Sequence, residues 1–370
     1  MAPSPAPKRL KVAVYAICLN EEQFVDRFLD AIGDGADEIV IADTGSTDGT
    51  VAAFRRRGVE PHAISIKPWR FDVARNAALA LVPDDVDVCV SLDLDEVIMP
   101  GWRRVIDRGW RPPINHFYYT HVWSEDVTGL WHSLLDNRIH ARHGFSWRYP
   151  CHECVLPNPG QVQHIGIVRH LKIQHRPDPT KDRTSYLPLL EMAAAEDPES
   201  PRHALYLGRE YATQERWEEA LAELHRCLAL PRGDRGERCA TMRTIARCHE
   251  ALGDMQAGLD AWRAAVEDAP GVRGPLVDYA WALYRREQWA ACYEQALKAL
   301  AIPEEVIEYG CDSDFGVLAE DMAAICGWRL GHLQQALIYG RQALAKAPGV
   351  ERIRLNVERM EKALGAAPAR

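Results

Sequence analysis

Residues 12–17 read VAVYAI and residues 38–42 read EIVIA, and these two apolar runs decide the fold of the N-terminal half. Each run has the length of a strand rather than a helix, and polar residues follow it. The segment between them, 22–32, carries apolar residues at helical spacing. Apolar strands that alternate with helices are typical of a parallel sheet covered by helices on both faces.

The same alternation continues along the chain as far as about residue 175. The next predicted elements are a helix over 51–57, a strand over 61–66, a helix over 71–81 and a strand over 86–92. Ser46 or Thr47 is a suitable cap for the first of these helices. The sequence therefore predicts an α/β, Rossmann-like domain with a mostly parallel sheet.

From about residue 201 onwards the strand signal disappears and helices come in pairs. A register of about 34 residues recurs in about four copies, with small residues where two helices would approach closely. The first copy has Leu207, Gly208, Tyr211, Ala220 and Leu224 at its marker positions. This pattern resembles a degenerate tetratricopeptide repeat with a capping helix over 351–364, and an irregular helical bundle is the alternative.

These periodicities divide the chain of 370 residues into four parts. We predict a disordered tail over 1–9, an α/β domain over 10–176, a linker over 177–200 and an all-α repeat domain over 201–370. The linker assignment rests on the Pro, Asp and Thr content of that segment.

The composition excludes several classes of protein. With 44 Lys+Arg against 53 Asp+Glu, the net charge of −9 argues against a protein that coats nucleic acid or an anionic membrane. No apolar run approaches the ~18 residues of a transmembrane helix, and no signal-peptide cleavage pattern follows the tail. The ten cysteines are scattered apart from Cys151 and Cys154. Reduced thiols in a cytoplasmic protein are therefore expected.

Four polar motifs lie at or near the predicted strand ends, where loops of an α/β sheet converge on a ligand crevice. They are NEE over 20–22, DTGSTDGT over 43–50, ARN over 74–76 and SLDLDE over 91–96. The last motif places Asp93, Asp95 and Glu96 directly after a buried strand, where a cation would offset their repulsion. Carboxylates at i and i+2 suit Mg²⁺ or Mn²⁺ bridging substrate phosphates, although an isolated Asp-x-Asp is common on solvated loops.

The order of these four motifs resembles that of the family 2 glycosyltransferases, which have the GT-A fold. The resemblance is strongest over 12–100, and the fusion to C-terminal tetratricopeptide repeats is similar to a bacterial subgroup. It implies a transferase that takes a sugar from a nucleotide-sugar such as a UDP-sugar, uses Mn²⁺ or Mg²⁺ and inverts the anomeric carbon.

The resemblance also implies roles for individual residues. Asp43 would recognise the nucleobase, Leu19 and Asn20 would line its pocket, and Arg75 would approach the diphosphate or the base. Asp93 and Asp95 would form the Asp-x-Asp pair. Asp95 would contact the metal, and Asp93 would either share it or hold the ribose.

Residues 149–154 read YPCHEC and resemble the His-Glu segment on the acceptor side of these enzymes. Inverting transfer needs a base near the acceptor nucleophile. We expect Glu153 to be this base and His152 to orient it, with the reverse assignment open. A structural His-Glu pair is the alternative.

A histidine downstream of Asp-x-Asp often completes the metal shell of GT-A enzymes, which makes His175 the candidate ligand and His170 its rival. Arg176, together with Lys181 and Arg183, would then close over the donor diphosphate. Residues 175–178 read HRPD where many relatives carry HYGY.

Two other features bear on ligands. Residues 101–176 carry ten Lys+Arg against five Asp+Glu, a local charge of +5 that suits phosphate. Cys151 and Cys154 form a single Cys-x-x-Cys, and a structural zinc site needs four ligands, so free thiols are preferred over zinc.

Two functions follow from the sequence. The first is a glycosyltransferase whose repeats bind or position an acceptor, with a protein or peptide, a glycolipid core and a nucleic-acid base left open. The second is a non-catalytic repeat scaffold with a degenerate nucleotide-sugar-binding module. Helical repeats also dimerise, so a homodimer stays open.

Overall fold

The computed structural model describes residues 9–125, 131–178, 186–231, 233, 235–303 and 316–365. The chain divides into two compact units, one of residues 1–124 and 133–189 and the other of residues 125–132 and 190–370. Across the described ranges, no helix combines the length and the apolar character needed to cross a bilayer.

The first unit is built on an eight-stranded sheet. Its strands are β1 Val12–Cys18, β2 Glu38–Asp43, β3 His62–Ala63, β4 Val88–Ser91, β5 Glu96–Ile98, β6 His116–Glu125, β7 Trp131–Ala141 and β10 Ile165–His175. Their order across the sheet is β3-β2-β1-β4-β7-β6-β10-β5. A separate antiparallel pair consists of β8 Phe145–Arg148 and β9 Cys154–Pro157.

Parallel pairing joins β3, β2, β1 and β4, and also β6 and β10. Strand β4 pairs antiparallel with β7, and β10 pairs antiparallel with β5. The predicted mostly parallel α/β sheet is therefore confirmed, with antiparallel strands added to its parallel part.

Helices flank the sheet as the apolar spacing predicts. They are α1 Glu22–Ile32, α2 Thr50–Arg56, α3 Phe71–Leu81 and α4 Trp102–Gly109, with a short 3₁₀ helix over Gly33–Gly35. Strand β1 shows that both faces of the sheet are covered. Val12, Val14 and Ala16 belong to one buried apolar cluster, whereas Ala13 and Tyr15 belong to a second. This alternation is the reason the strand reads as an unbroken apolar run.

The second unit contains four helical hairpins and a final helix within the described residues, as the repeat register predicts. The hairpins are α6 Pro201–Thr213 with α7 Trp217–Ala229, α8 Arg235–Ala251 with α9 Met255–Asp268, α10 Arg273–Tyr284 with α11 Trp289–Leu300, and α12 Leu318–Arg329 with α13 Leu333–Lys346. Helix α14, Glu351–Leu364, lies at the predicted capping position.

The segment predicted as a linker differs from the structure, because it contains helix α5, Tyr186–Glu196. Leu189, Leu190 and Ala193 of this helix are buried. Its proline, Pro188, lies in the first turn, where the missing N–H costs no helical hydrogen bond. The Pro and Asp content of the flanking residues hid this helix in the sequence.

Candidate functional site

The loop after β1 is tied to the loop after β2 by Asn20. Its backbone has a φ of 54°, a left-handed conformation that asparagine tolerates better than most residues. The side-chain Oδ1 accepts a hydrogen bond from the Thr47 amide at 2.7 Å, and the Asn20 amide donates to Ser46 Oγ at 2.9 Å. Asn20 therefore fixes the loop, while neighbouring Leu19 is 47% exposed.

Asp43 ends β2 and is buried. Its Oδ2 accepts hydrogen bonds from the amides of Gly45 and Ser46, each at 3.1 Å. The carboxylate thereby stabilises the turn that leads to α2. Asn20 and Asp43 thus hold the two loops at the carboxyl ends of adjacent parallel strands.

Arg75 on α3 is buried and lies between two carboxylates. Its Nε donates to Glu153, and its Nη2 donates to Asp93 Oδ1 at 2.7 Å. The guanidinium also lies 4.8 Å from the centre of the Trp147 ring. Burial alone would lower the pKa of Arg75, but the charges of Asp93 and Glu153 raise it above its ordinary value.

Asp93 accepts hydrogen bonds from two arginines. Arg75 binds Oδ1, and Arg138 Nη1 on β7 binds Oδ2 at 2.7 Å. Burial would raise the pKa of Asp93, whereas the two guanidinium groups hold it well below its usual range. The carboxylate is therefore ionised, with both of its oxygens engaged by protein donors.

A second set of charged groups is linked to Asp93 through its backbone amide and through Arg138. Glu96 is 1% exposed, and its Oε2 accepts a hydrogen bond from the Asp93 amide at 2.9 Å. Its Oε1 lies 3.1 Å from His121 Nε2 and 3.4 Å from Arg138 Nη1. Burial would lower the pKa of His121, but hydrogen bonding to Glu96 raises it.

Arg138 entered the sequence prediction only as part of the local charge of +5, and His121 was assigned no role there. A signal for His121 was present, because it follows the buried Phe117 and Tyr119 at alternate positions of β6. Arg138 and its ion pair with Asp136 at 3.2 Å had no comparable signal in the sequence.

Asp95 and His175 come together across two elements that are distant in the sequence. In the antiparallel pairing of β10 with β5, His175 lies opposite Glu96, the residue after Asp95. His175 Nε2 lies 3.1 Å from Asp95 Oδ2, and both side chains are mostly buried. The rival histidine, His170, instead lines a surface cavity of about 310 Å³ with Arg104 and Arg108.

The donor set at this position fits a divalent cation held by two protein ligands. Asp95 and His175 supply an oxygen and a nitrogen on one side, whereas Asp93 already serves two arginines. The described residues hold no group of three or more His, Cys, Asp or Glu side chains that could bind a metal. Two protein ligands suffice where substrate phosphates and water complete the shell, as is usual for Mg²⁺.

Arg176 follows His175 and is exposed. Its amide donates to the Asp95 carbonyl at 2.8 Å, and its carbonyl accepts a hydrogen bond from Arg27 Nη2 on α1 at 3.1 Å. Arg27 is thus a basic residue near the site, and its sequence context gave no signal of this position. Lys181 and Arg183 lie outside the described residues.

The segment that carries Glu153 has a strained backbone. Tyr149 and His152 have φ values of 82° and 50°, which non-glycine residues seldom adopt and which concentrate at functional sites. The His152 ring lies 6.2 Å from the Tyr186 ring, measured between centroids, while Glu153 pairs with Arg75. Cys151 and Cys154 in the same segment are not joined in a disulfide bond.

Residues 13–157 match the family model described as glycosyl transferase family 2. The chain is 25% identical over 315 residues to a TPR repeat-containing protein of Synechococcus elongatus, covering 79% of this chain and 75% of that protein. It is 30% identical over 182 residues to the lipopolysaccharide core biosynthesis glycosyltransferase LpsC of Rhizobium meliloti, covering 44% of this chain and 64% of LpsC. The chain thus spans somewhat less than two thirds of LpsC.

Among solved structures, similar chains include YrrB, a TPR protein with an unusual peptide-binding site, with a TM-score of 0.39 and 15% identity over 48% of this chain and 84% of YrrB. MamA has a TM-score of 0.35 and 16% identity over 43% of this chain and 85% of MamA. Because these TM-scores are low, we assign the repeat architecture from the helical hairpins of this chain alone. The chain thus matches the glycosyl transferase family 2 model over residues 13–157, and tetratricopeptide-like helical hairpins follow this region.

Proposed function

We propose that this protein is a metal-dependent, inverting glycosyltransferase that takes its sugar from a nucleoside diphosphate donor. The observation that carries the proposal is the pairing of Asp95 with His175 next to an ionised Asp93 at the end of β4. The family 2 domain supports the same reaction class.

On the donor side, the two tied loops provide the nucleoside pocket. Asp43, Asn20 and Leu19 lie on these loops, and Asp43 and Asn20 are held by hydrogen bonds before any ligand binds. Such preorganisation lowers the entropic cost of binding. Asp93 is the residue that holds the donor ribose, because its position is fixed by Arg75 and Arg138.

The metal would be held by Asp95 and His175. A bound Mn²⁺ or Mg²⁺ supplies positive charge that stabilises the departing nucleoside diphosphate. Within the chain, the guanidinium of Arg176 adds positive charge at the same end of β10. The sequence suggested that Arg75 would approach the diphosphate or the base. We assign it a positioning role instead, since its guanidinium already binds the carboxylates of Asp93 and Glu153.

Glu153 is the candidate base on the acceptor side. Its carboxylate would accept the proton of the acceptor hydroxyl while the acceptor oxygen bonds to the anomeric carbon and the bond to the diphosphate breaks. Attack from the face opposite the leaving group inverts that carbon. Arg75 positions this carboxylate through the hydrogen bond from its Nε. His152, the preceding residue, would help to orient Glu153 on the acceptor side.

Among the acceptors left open by the sequence, we propose a glycolipid core. The similarity to LpsC, whose name gives lipopolysaccharide core biosynthesis, supports this class over a protein or a nucleic acid. The repeats would then position the acceptor or a partner protein, since stacked helical hairpins offer an extended surface.

The test is donor turnover. The wild-type protein should hydrolyse or transfer at least one sugar from a panel of UDP-, GDP-, CDP- and dTDP-sugars, and it should need Mn²⁺ or Mg²⁺. The Asp95→Ala variant should lose about a hundredfold or more of this turnover, as expected when one group that stabilises the transition state is removed.

The matched control is Asp34→Ala, which removes an exposed aspartate from the short 3₁₀ helix Gly33–Gly35. This control should keep wild-type turnover. The proposal is wrong if no donor of the panel is turned over, or if Asp95→Ala and Asp34→Ala retain equal activity.

A further inference from the structure

Arg27 on α1 is only partly buried, but its Nε is fully buried and has no hydrogen-bond partner within the part of the chain that the structure describes. Its Nη2 donates to the Arg176 carbonyl at 3.1 Å, and its guanidinium lies 4.8 Å from the centre of the Phe24 ring. These contacts hold the guanidinium in place without neutralising its charge.

The charge around Arg27 is unbalanced. Of the acidic residues of α1, Asp26 and Asp30 pair with Arg57, at 2.7 and 2.6 Å, and Glu22 accepts a hydrogen bond from the Gly49 amide. Neither Arg27 nor Arg176 has an ion pair with any described carboxylate. Burial, followed by the neighbouring Arg176, lowers the pKa of Arg27, while Asp95 opposes this shift. Two arginines therefore lie close together beside the Asp95–His175 pair.

A partly buried arginine next to a second arginine is costly unless an anion neutralises both. Phosphate oxygens suit such a pair because each guanidinium can donate two parallel hydrogen bonds. The segment that carries Arg176 is itself anchored, since its amide binds the Asp95 carbonyl and Gln23 Nε2 on α1 donates to Asp178 Oδ2 at 2.7 Å.

We propose that Arg27 and Arg176 together bind the diphosphate of the donor, with Arg27 as a donor-binding residue contributed by α1. This inference rests on the proposed function, because it assumes that a nucleoside diphosphate occupies the site beside Asp95. The competing interpretation is structural: Arg27 only ties α1 to the segment after β10 through the Arg176 carbonyl.

The experiment measures dissociation constants by calorimetry for inorganic pyrophosphate, for UDP, GDP, CDP and dTDP, and for the corresponding monophosphates. Arg27→Ala should weaken the preferred diphosphate and pyrophosphate about tenfold or more, as expected for a lost charge-assisted hydrogen bond. Binding of the monophosphate of the same nucleoside should weaken less, so the affinity for the diphosphate should fall relative to the affinity for the monophosphate. Arg27→Lys should lie between Arg27→Ala and wild type.

The matched control is Arg56→Ala, which removes an exposed arginine at the end of α2 and should leave every dissociation constant unchanged. A structural role would lower the melting temperature of Arg27→Ala while leaving the diphosphate-to-monophosphate ratio at its wild-type value. That result overturns the inference but leaves the proposed function standing. If the wild-type protein binds none of these probes, the proposed function and the inference both fail.

Discussion

At the scale of single residues, the candidate site is a chain of alternating charges rather than a cluster of like ones. From Glu153 the contacts run through Arg75, Asp93 and Arg138 to Glu96. Each buried carboxylate in this chain touches at least one guanidinium, which offsets the cost of taking it out of water. The acidic SLDLDE motif is therefore stable without a metal at Asp93.

A second buried chain of hydrogen bonds begins at Trp147, whose ring lies against the Arg75 guanidinium. Trp147 Nε1 donates to the Tyr15 hydroxyl at 2.7 Å, and this hydroxyl lies 2.9 Å from His140 Nε2. His140 Nδ1 lies 2.8 Å from the Ala141 carbonyl, so Nδ1 carries the proton and Nε2 accepts from Tyr15. Desolvation lowers the pKa of His140 to about 3. This histidine is thus neutral in the folded protein.

That neutral state makes stability depend on pH. Because the folded pKa of about 3 lies below the unfolded value of 6.5, the unfolded chain takes up a proton first, and stability falls as pH drops from about 6.5 towards 3. Between pH 7 and pH 5 the contribution of His140 is a loss of about 2 kcal/mol. Urea unfolding at the two pH values measures the free energy of unfolding. Its decrease between pH 7 and pH 5 should be about 2 kcal/mol smaller in His140→Gln than in wild type.

The control for this prediction is His143→Gln. His143 lies two residues after Ala141, whose carbonyl is the last group of the hydrogen-bonded chain. His143 is exposed, so its substitution should leave the pH dependence of the wild type intact. Equal losses between pH 7 and pH 5 in wild type and in His140→Gln would contradict the prediction.

At the scale of helices and strands, elements with a strong apolar period were predictable to the residue. Helices α1 and α3 have the predicted bounds, because their buried residues repeat at helical spacing. Strand β3 was predicted over 61–66 but is only His62–Ala63, since short strands depend on pairing that a sequence does not show. Helix α5 was missed because proline and acidic residues around it resemble a linker.

Site residues that directly follow a strand were predictable from the sequence. Contacts between residues that are distant in the sequence were not. Asp93 and Asp95 were found because they directly follow β4. The contact of Asp93 with Arg138 joins residues 45 positions apart, and the contact of Arg27 with Arg176 joins residues 149 positions apart. Such pairs arise from the order of strands in the sheet, which local patterns do not encode.

The repeat helices give a prediction at the same scale. A Cβ atom at Gly208 on α6 would lie 2.7 Å from Leu224 Cγ on α7, closer than packing allows. Gly208→Ala should therefore destabilise the repeats by about 1–3 kcal/mol, although alanine is the better helix former. Calorimetric melting is the measurement.

Gly349→Ala is the matched control, because a Cβ atom there would meet no atom within 4 Å and the backbone φ is not positive. Its melting should match that of wild type. An unchanged or raised melting temperature for Gly208→Ala would mean that α6 and α7 are not packed as closely as the structure shows.

At the scale of the whole molecule, the distribution of charge matters more than its sum of −9. The basic segment 101–176 was expected to serve phosphate, but several of its arginines pair with carboxylates from the first hundred residues. Arg103 binds Asp37 at 2.7 Å, and Arg138 binds Asp93 at 2.7 Å. The segment therefore offers a diphosphate less positive charge than its sum of +5 suggests.

The two compact units have separate apolar cores, which predicts different responses to a ligand. A nucleoside diphosphate with Mn²⁺ at about 100 times its dissociation constant should stabilise the unit that binds it by about 2.7 kcal/mol. Scanning calorimetry should show the melting transition of the sheet core rising, while the transition that Gly208→Ala lowers stays in place. If the ligand raises only the transition that Gly208→Ala lowers, the nucleotide binds the repeats, and the donor site does not lie at the end of β4.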